Sequence, residues 1–364
     1  MPKALFRADA SQIMGHGHMM RCLTLADALR TKGWHCDFLC KLHIGHGQYQ
    51  IEARGFDCYL MPVDEELDSS ENTTLHSDWL GGSQSKDCAQ TSELLQIGQY
   101  DLLVVDHYAI AHVWEQRCRQ FVGKLAVIDD LADRPHDCDV LIDQTVGRGA
   151  EAYQGLVSAS ANLLVGSEYA MLRPQFSIRR AEALAKPHNK SFTRILIMMG
   201  GTDPDNATGK VLRAIGDQIN QHSLKITVVL SAVAPYLEDI RLLVQDVGGE
   251  LKTGIEDVAS EILVHDLAVG AAGSTSWERC CLGLPSVLFT TAENQTLIAS
   301  NLAAKGAVIN LGKVEAQSLL DLCSLIEKFD ANPHLLEPIK RSAFSICDGR
   351  GVDRVVKSLI GDGV

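Results

Sequence analysis

The sequence predicts an α/β protein made of two Rossmann-like domains, each a doubly wound parallel sheet, which face each other across a cleft. Three observations predict this class. The chain has 364 residues, which is more than a single hydrophobic core usually serves. Short apolar runs alternate with helix-length segments from one end to the other. With 46% hydrophobic and 22% charged residues, the composition is that of a globular protein rather than a disordered one.

The apolar runs are short, continuous and rich in Val, Ile and Leu, as parallel strands covered on both faces should be. In the first half the predicted strands are 4–8, 36–40, 102–105, 125–128, 140–142 and 163–165. In the second half they are 195–199, 226–230, 267–269, 286–289 and 308–309. Helical segments such as 207–220 and 275–282 lie between them. The alternation predicts an open, doubly wound sheet in each half.

A polar, proline-containing stretch over 185–191 comes directly before a new strand and marks the join between the domains. We therefore expect an N-terminal domain over 1–185 and a C-terminal domain over 191–340. A last helix within 341–364 is expected to pack back towards the N-terminal domain. A second polar stretch, 64–87, is either a loop over the cleft or an insertion, and the sequence leaves both open.

The net charge of −13, with no compensating basic stretch, argues against nucleic-acid binding. An anionic ligand would have to be held by local devices such as helix N-termini and one or two arginines. No apolar run approaches about 18 residues and no export leader is visible, so we expect a cytoplasmic protein without a membrane partner. The 11 cysteines are odd in number and scattered along the chain, which favours reduced, buried thiols, and the absence of a CxxC pair argues against a zinc ribbon. His43 and His46 have a spacing that a metal can use, but we interpret them as surface histidines and expect no metal.

The loop after the first strand, residues 9–21, combines glycines with histidines at the start of a helix. Gly17 lets the backbone approach a ligand closely. The loop is neither a P-loop nor a dinucleotide fingerprint, because Met20 stands where the third glycine of the fingerprint should be.

His18 falls at the N-terminal end of that helix, where the positive end of the helix dipole disfavours a protonated ring. A neutral imidazole can take a proton from water, as a general base must. His18 is therefore the candidate base. A capping or packing role is an equal alternative, and His16 is the competing histidine.

Other polar residues directly follow predicted strands, where ligands of such sheets bind. In the first half these are Asp106 and Tyr108 after 102–105, and the Asp129–Asp130 pair after 125–128. Each aspartate has an equally good explanation as a helix cap.

In the second half, Gly201 and Thr202 open a helix with exposed backbone N–H groups, which suits a phosphate; the alternative is a tight turn capped by Thr202 or Asp203. Ser274 lies in a loop of small residues that a diphosphate can approach, and Glu278, one turn inside the next helix, can accept from ribose hydroxyls.

A third loop follows the strand 286–289 and carries the amides of Asn294 and Gln295, which suit a sugar. Taken together, the loops predict a nucleotide-sugar cleft, with the nucleotide on the C-terminal half and the reactive histidine on the N-terminal half.

The same segments carry a family resemblance. In order along nearly the whole chain they are 6–9, 15–18 with Arg21, 106–108, 129–130 with 135–139, 169–173, 199–203 and 293–295. With them the sequence resembles the UDP-2,4-diacetamido-2,4,6-trideoxy-β-L-altropyranose hydrolases of pseudaminic acid biosynthesis. These enzymes are relatives of the peptidoglycan N-acetylglucosaminyltransferase and share its GT-B fold. The combination is specific, whereas a lone Gly-Gly-Thr-Asp would not be.

The resemblance implies a GT-B fold and a metal-independent hydrolase without a cofactor. The family's catalytic histidine falls on His18. The family's uridine and diphosphate contacts fall around Gly201–Thr202, Ser274, Glu278 and Asn294. Water activated by the histidine would attack the anomeric carbon, UDP would leave, and the configuration would invert.

The implied partners are a UDP-amino sugar and water, and we expect a monomer. Two other functions fit the same residues. One is a GT-B glycosyltransferase that deprotonates an acceptor hydroxyl, and the other is a non-enzymatic UDP-sugar binding protein. A hydrolysing epimerase is a weaker third.

Overall fold

The computed structural model describes residues 1–64, 74–186 and 191–361. The chain forms two compact units, the first made of Met1–Met171 with Arg350–Val364 and the second of Leu172–Gly349. Residues 65–73 of the polar stretch 64–87, and residues 187–190 of the expected join, lie outside the described residues.

Within the described residues, the first unit holds a sheet of seven parallel strands. The strands are β1 Lys3–Ala8, β2 His35–Lys41, β3 Asp57–Met61, β4 Leu102–Asp106, β5 Lys124–Ile128, β6 Val140–Asp143 and β7 Asn162–Val165. The helices are α1 Gly17–Thr31, α2 Gln48–Glu52, α3 Gln84–Gly98, α4 His112–Arg119 and, from the end of the chain, α13 Gly351–Ile360. Across the sheet the order is β3-β2-β1-β4-β5-β6-β7.

The central strand β1 shows why its sequence is continuously apolar. Ala4 and Phe6 point into the cluster that α1 and α13 cover, whereas Leu5 points into the cluster on the other face. Successive residues of a strand face opposite sides, so a strand buried on both faces needs apolar residues at every position.

The second unit holds a sheet of six parallel strands in its described part. The strands are β8 Arg194–Met198, β9 Lys225–Leu230, β10 Glu250–Thr253, β11 Leu267–Ala271, β12 Ser286–Thr290 and β13 Ile309–Lys313. The helices are α5 Pro174–Ala185, α6 Ala207–Gln221, α7 Leu237–Asp246, α8 Val258–Leu263, α9 Thr275–Cys281, α10 Thr296–Ala304, α11 Ala316–Ala331 and α12 Leu336–Phe344. The sheet order is β10-β9-β8-β11-β12-β13.

The division of the chain differs from the expected one. It lies between Met171 and Leu172, before α5 rather than after it, because α5 packs on α8 and α9 of the second unit. At the other end, α12 also belongs to the second unit, whereas α13 belongs to the first and packs on α1.

In both units the strand order reverses once, between β1 and β4 in the first unit and between β8 and β11 in the second. The loops that leave two such neighbouring strands run to opposite faces of the sheet and open a crevice between them, which is where doubly wound sheets bind ligands. The candidate loops 9–16 and 107–111 flank this point in the first unit, and 199–206 and 272–274 flank it in the second.

Two further expectations concern the whole chain. All eleven cysteines are free and are buried or half-buried. Among the described helices, none combines the length and the apolar character needed to span a bilayer.

Candidate functional site

His18 lies in the first turn of α1, which begins at Gly17. The loop before it is built by local hydrogen bonds: the Ser11 carbonyl accepts from the Gly15 N–H at 2.9 Å, and the Ser11 hydroxyl accepts from the Met14 N–H at 3.0 Å. Gly15 has φ of 74°, a left-handed conformation that favours glycine. Gly15 therefore serves the turn that delivers His18 to the carboxyl edge of the sheet.

A buried carboxylate holds the His18 ring. Asp106, the last residue of β4, is 0% exposed, and its Oδ1 lies 2.6 Å from His18 Nδ1. Arg21, one helical turn after His18, donates from Nε to Oδ2 of Asp106 at 2.6 Å and from Nη2 to Oδ1 at 2.7 Å. Burial alone would raise the pKa of Asp106, but the charge and hydrogen bonds of Arg21 and His18 outweigh it and hold that pKa well below its ordinary range.

An ionised carboxylate can only accept, so the bond to Asp106 places the hydrogen of the neutral His18 ring on Nδ1. The lone pair is then on Nε2, the ring nitrogen that is left to accept a hydrogen bond or a proton. Arg21 also approaches the ring, with Nη2 at 3.3 Å from Nδ1.

Aromatic rings surround His18. Tyr108 meets the imidazole edge-on, with ring centroids 4.5 Å apart, and Trp79 stacks beside Tyr108 at 5.8 Å. His76 packs against Trp79 at 4.5 Å. Burial and the charge of Asp130 raise the pKa of Tyr108 well above its usual value, so its hydroxyl stays protonated and donates to Asp130 at 3.2 Å.

His76 and Trp79 are functional candidates that the sequence analysis did not single out. They lie in the polar stretch 64–87, where they are the aromatic residues of an otherwise hydrophilic segment. An aromatic side chain within a polar segment was the sequence signal that could have identified them.

His16 has a different environment. Its ring hydrogen-bonds to the backbone of Gly45, and burial lowers its pKa. In the described part of the chain no carboxylate forms an ion pair with it, whereas His18 has one. A base oriented by a third group is the arrangement that catalysis uses, so the geometry favours His18.

A second buried network stiffens the same edge of the sheet. Arg7 is fully buried and donates to two carboxylates, Asp9 and Asp87 of α3. The shortest contact to each carboxylate is 2.7 Å. The Lys41 N–H donates to Asp9 at 2.7 Å, and His107 Nε2 lies 3.2 Å from Asp9. The carboxyl ends of β1, β2 and β4 are thereby tied together beneath the loop that carries His18.

In the second unit, the loop after β8 divides into two parts. Gly200, with φ of 110°, and the exposed Gly201 form the turn, and the Gly201 carbonyl accepts from the Ser231 N–H at 2.9 Å. Asp203 is buried and accepts from the N–H groups of Ala207 and Thr208 at 2.8 Å each. Asp203 therefore satisfies the first N–H groups of α6, while the N-cap residue itself is Asn206, whose side chain accepts from the Gly209 N–H at 3.1 Å. Gly201 with Thr202 remains at the sheet edge.

After β11, Ser274 is exposed directly before α9, and Glu278 lies inside that helix. Burial raises the pKa of Glu278, while the Arg173 guanidinium, 3.3 Å from its Oε1, opposes this. After β12, Asn294 is exposed, but the Gln295 side-chain oxygen accepts from the Thr291 N–H at 3.0 Å. Gln295 is therefore engaged within its own loop.

A cavity of about 330 Å³ adjoins these loops at the carboxyl ends of β12 and β13. Lys210 and Lys313 contribute positive charge to its lining, and Asp205 and Glu293 contribute negative charge. Its volume is in the range of small-molecule sites.

Possible metal ligands lie elsewhere. In the described ranges, His35, Asp37 and Asp57 bring three ligand atoms within 4.8 Å of one another. They stand at the amino ends of β2 and β3, the opposite edge of the sheet from His18. The interpretation of His43 as a surface residue is wrong, because its side chain is only 14% exposed and lies 3.9 Å from Asp9. His46 accepts from the Gln48 N–H at 3.4 Å.

Comparison with known proteins confirms the resemblance and the fold class. No family model matches the chain. Over 204 residues it is 26% identical to the UDP-2,4-diacetamido-2,4,6-trideoxy-β-L-altropyranose hydrolase of Campylobacter jejuni and 25% identical to the spore coat polysaccharide biosynthesis protein SpsG of Bacillus subtilis. The aligned part is 56% of this chain and 62% and 59% of those proteins.

Among solved structures, the MurG protein of Acinetobacter baumannii superimposes over the full length of both chains, with a TM-score of 0.67 and 16% identity. Two parallel sheets of seven and six strands with that likeness define a GT-B fold.

Proposed function

We propose that the chain is an inverting UDP-sugar hydrolase in which His18 activates the attacking water. The proposed substrate is UDP-2,4-diacetamido-2,4,6-trideoxy-β-L-altropyranose, and the products are UDP and free 2,4-diacetamido-2,4,6-trideoxy-L-altrose. One observation carries the assignment of the base: the 2.6 Å contact between His18 Nδ1 and the buried Asp106. The substrate rests on the similarity to the named Campylobacter hydrolase.

In this mechanism, water donates a hydrogen bond to His18 Nε2 and attacks the anomeric carbon on the face opposite UDP. The C–O bond to the diphosphate breaks through an oxocarbenium-like transition state, and the configuration inverts. The proton of the water passes to Nε2, and the resulting imidazolium is stabilised by Asp106, which stays ionised. The diphosphate is a good leaving group, so the proposal needs no general acid and no metal.

The remaining residues of the first unit take supporting roles in the proposal. Asp106 positions His18 rather than contacting the substrate, because it is fully buried and both its oxygens are occupied. Tyr108 and Trp79 provide apolar walls that suit the acetamido and methyl groups of a deoxy amino sugar. Gly17 leaves room beside the base.

Nucleotide recognition is assigned to the second unit. Gly201, Thr202 and Ser274 would meet the diphosphate, since they lie at the reversal point between β8 and β11. Glu278 would accept from ribose hydroxyls, and Asn294, which is exposed, would contact the sugar. Gln295 has a smaller role, because its oxygen is engaged by Thr291.

The decisive experiment follows the UDP-amino sugar by anomeric NMR with no acceptor present, using wild type and His18→Ala. A general base contributes roughly 10²–10⁴-fold to rate, so His18→Ala should lose turnover by that factor while UDP affinity is retained. His35→Ala, at the opposite edge of the same sheet, is the matched control and should turn over normally.

Each other outcome rejects a specific part of the proposal. UDP release that requires an acceptor sugar or lipid would identify a transferase. Binding of the nucleotide sugar without turnover would identify a binding protein. Full activity of His18→Ala would remove the histidine from the mechanism.

A further inference from the structure

Arg279 is a buried cation that the proposed mechanism leaves unused. It is 1% exposed, and its side chain folds back from the last turn of α9 towards the loop that precedes the helix. Nη2 donates to the Ala271 carbonyl at 2.9 Å and to the Ser276 hydroxyl at 3.1 Å, and Nη1 donates to the Thr275 hydroxyl at 3.2 Å. All three acceptors are neutral.

Among the described residues, the other buried arginines, Arg7, Arg21 and Arg134, each contact a carboxylate. Arg7 is paired with Asp9, and Arg21 with Asp106. Within residues 1–64, 74–186 and 191–361, Arg279 forms no ion pair, and its Nε is buried without a hydrogen-bond partner. The adjacent carboxylate, Glu278, is engaged by Arg173.

Burial lowers the pKa of Arg279 to about 10, and the neighbouring Cys280 and Glu278 only partly oppose this effect. The side chain nevertheless remains protonated at neutral pH. An unpaired buried charge is strongly unfavourable, so a fold that keeps one gains something from it elsewhere.

The backbone is shaped to admit this guanidinium. A Cβ at Gly270, near the end of β11, would lie 2.5 Å from Arg279 Nη1 and 2.7 Å from the Met198 carbonyl oxygen. Glycine is therefore the residue that fits between the charge and β8. Its place in the sequence is explained by the close approach of both the Met198 carbonyl oxygen and Arg279, and not by an unusual turn.

The charge lies beneath the loop 272–274, whose surface residue is Ser274. This loop flanks the reversal point of the second sheet, between β8 and β11. An anionic group that settles on the loop would supply the counter-charge that the protein itself does not.

We propose that Arg279 is an internal counter-charge that selects a nucleoside diphosphate over an uncharged nucleoside at the loop 272–274. It acts as a positioning residue, through the Ala271 carbonyl and the hydroxyls of Thr275 and Ser276, and through its field. The inference rests on the proposed function in one respect, namely that a UDP group binds to the second unit.

The test measures the affinities for UDP and for uridine by calorimetry with the full chain, in wild type, Arg279→Gln and Arg279→Lys. Loss of a nearby charge in a site of reduced dielectric should weaken UDP binding about tenfold or more. Uridine binding should hardly change, and Arg279→Lys should retain most of the preference for UDP. Arg213→Gln, on the exposed side of α6, is the matched control and should leave both affinities unchanged.

The ratio of the two affinities separates a charge effect from a packing defect, because a distorted loop would weaken both ligands together. An Arg279→Gln protein with the wild-type ratio would overturn the inference, and so would a wild type that binds no UDP. If Arg279→Gln does not fold, Arg279→Lys decides: a retained ratio supports the role of the charge, and a lost ratio rejects it. Wild type that binds UDP with the expected dependence on Arg279 but hydrolyses no UDP-sugar would reject the proposed reaction and leave this inference standing.

Discussion

Replacing Asp106 by asparagine keeps the volume of a fully buried side chain while it removes the charge that His18 and Arg21 share. Asparagine has one acceptor oxygen where the carboxylate has two, and it adds an N–H donor. If its oxygen stays with Arg21, its amide group faces His18 Nδ1 and donates to it. The hydrogen of the imidazole then moves to Nε2, and the ring loses the lone pair that must face the water.

The structure sets the size of both effects. The activity loss should match the loss of a general base, roughly 10²–10⁴-fold in kcat. Removing one partner of a buried ion pair costs about 3–5 kcal/mol in the free energy of unfolding. Arg21 keeps a second carboxylate, Asp130, so we expect the lower end of that range, about 3 kcal/mol.

The assay measures kcat from UDP release at saturating substrate, the free energy of unfolding from urea titration, and the affinity for UDP, which should be unchanged. Asp27→Asn is the matched control on the exposed side of the same helix, where Asp27 pairs with Arg30 and Arg54. This control should cost less than about 1 kcal/mol and leave kcat intact. An Asp106→Asn protein with wild-type turnover would refute the orientation of His18 deduced from the 2.6 Å contact.

Two further predictions concern stability. Burial and the nearby charge of Asp130 raise the pKa of Asp143 to about 6, so the folded state keeps a proton that the unfolded chain loses near pH 4. Between about pH 4 and 7 the wild type should therefore lose up to about 3 kcal/mol in the free energy of unfolding relative to Asp143→Asn. Urea titrations of both proteins at both pH values measure this difference, and a difference that does not change with pH would contradict the prediction. Gly270→Ala should destabilise the protein by about 1–3 kcal/mol, because the new methyl group meets a backbone carbonyl oxygen and Arg279. Gly273→Ala, with open space around the position, should leave the melting temperature nearly unchanged, and equal melting temperatures of the two variants would count against the packing described for Gly270.

The sequence predicted the central strands because burial on both faces leaves a continuous apolar signature, as in β1 and β4. It missed β3 and β10, which lie at the outer edges of the two sheets. An edge strand has one neighbour and exposed side chains, so Glu250–Thr253 carries two charges and resembles a loop. Asp57–Met61 differs, because its last four residues form an apolar run that was a readable strand signal. The boundary between the units was also expected too late in the sequence. The proline-containing stretch follows α5, and the contacts of α5 with α8 and α9 assign that helix to the second unit.

The position of His18 followed from local signals, namely glycines before a helix start. Asp106 lies 88 residues from His18 in sequence, and their partnership depends on β1 and β4 being neighbours. A periodic pattern does not state which strands pair. Arg21 was within reach of sequence reasoning, because it lies one turn from His18 on the same helix. Trp79 carried the signal of an aromatic residue in a polar stretch, whereas Arg279 was out of reach, since its role depends on which groups surround it in three dimensions.

The placement of α13 in the first unit has a consequence for biosynthesis. Val355 and Leu359 of α13 share a hydrophobic cluster with Leu25 and Leu29 of α1. The ribosome synthesises α13 only after the whole second unit, Leu172–Gly349, has been made. While Leu172–Gly349 is synthesised, the nascent first unit therefore exposes the apolar surface of α1 that α13 will cover. The second unit can complete its fold before the first. Translation that stops before α13 would leave a polypeptide with one complete unit and one open core, the kind of surface that chaperones retain.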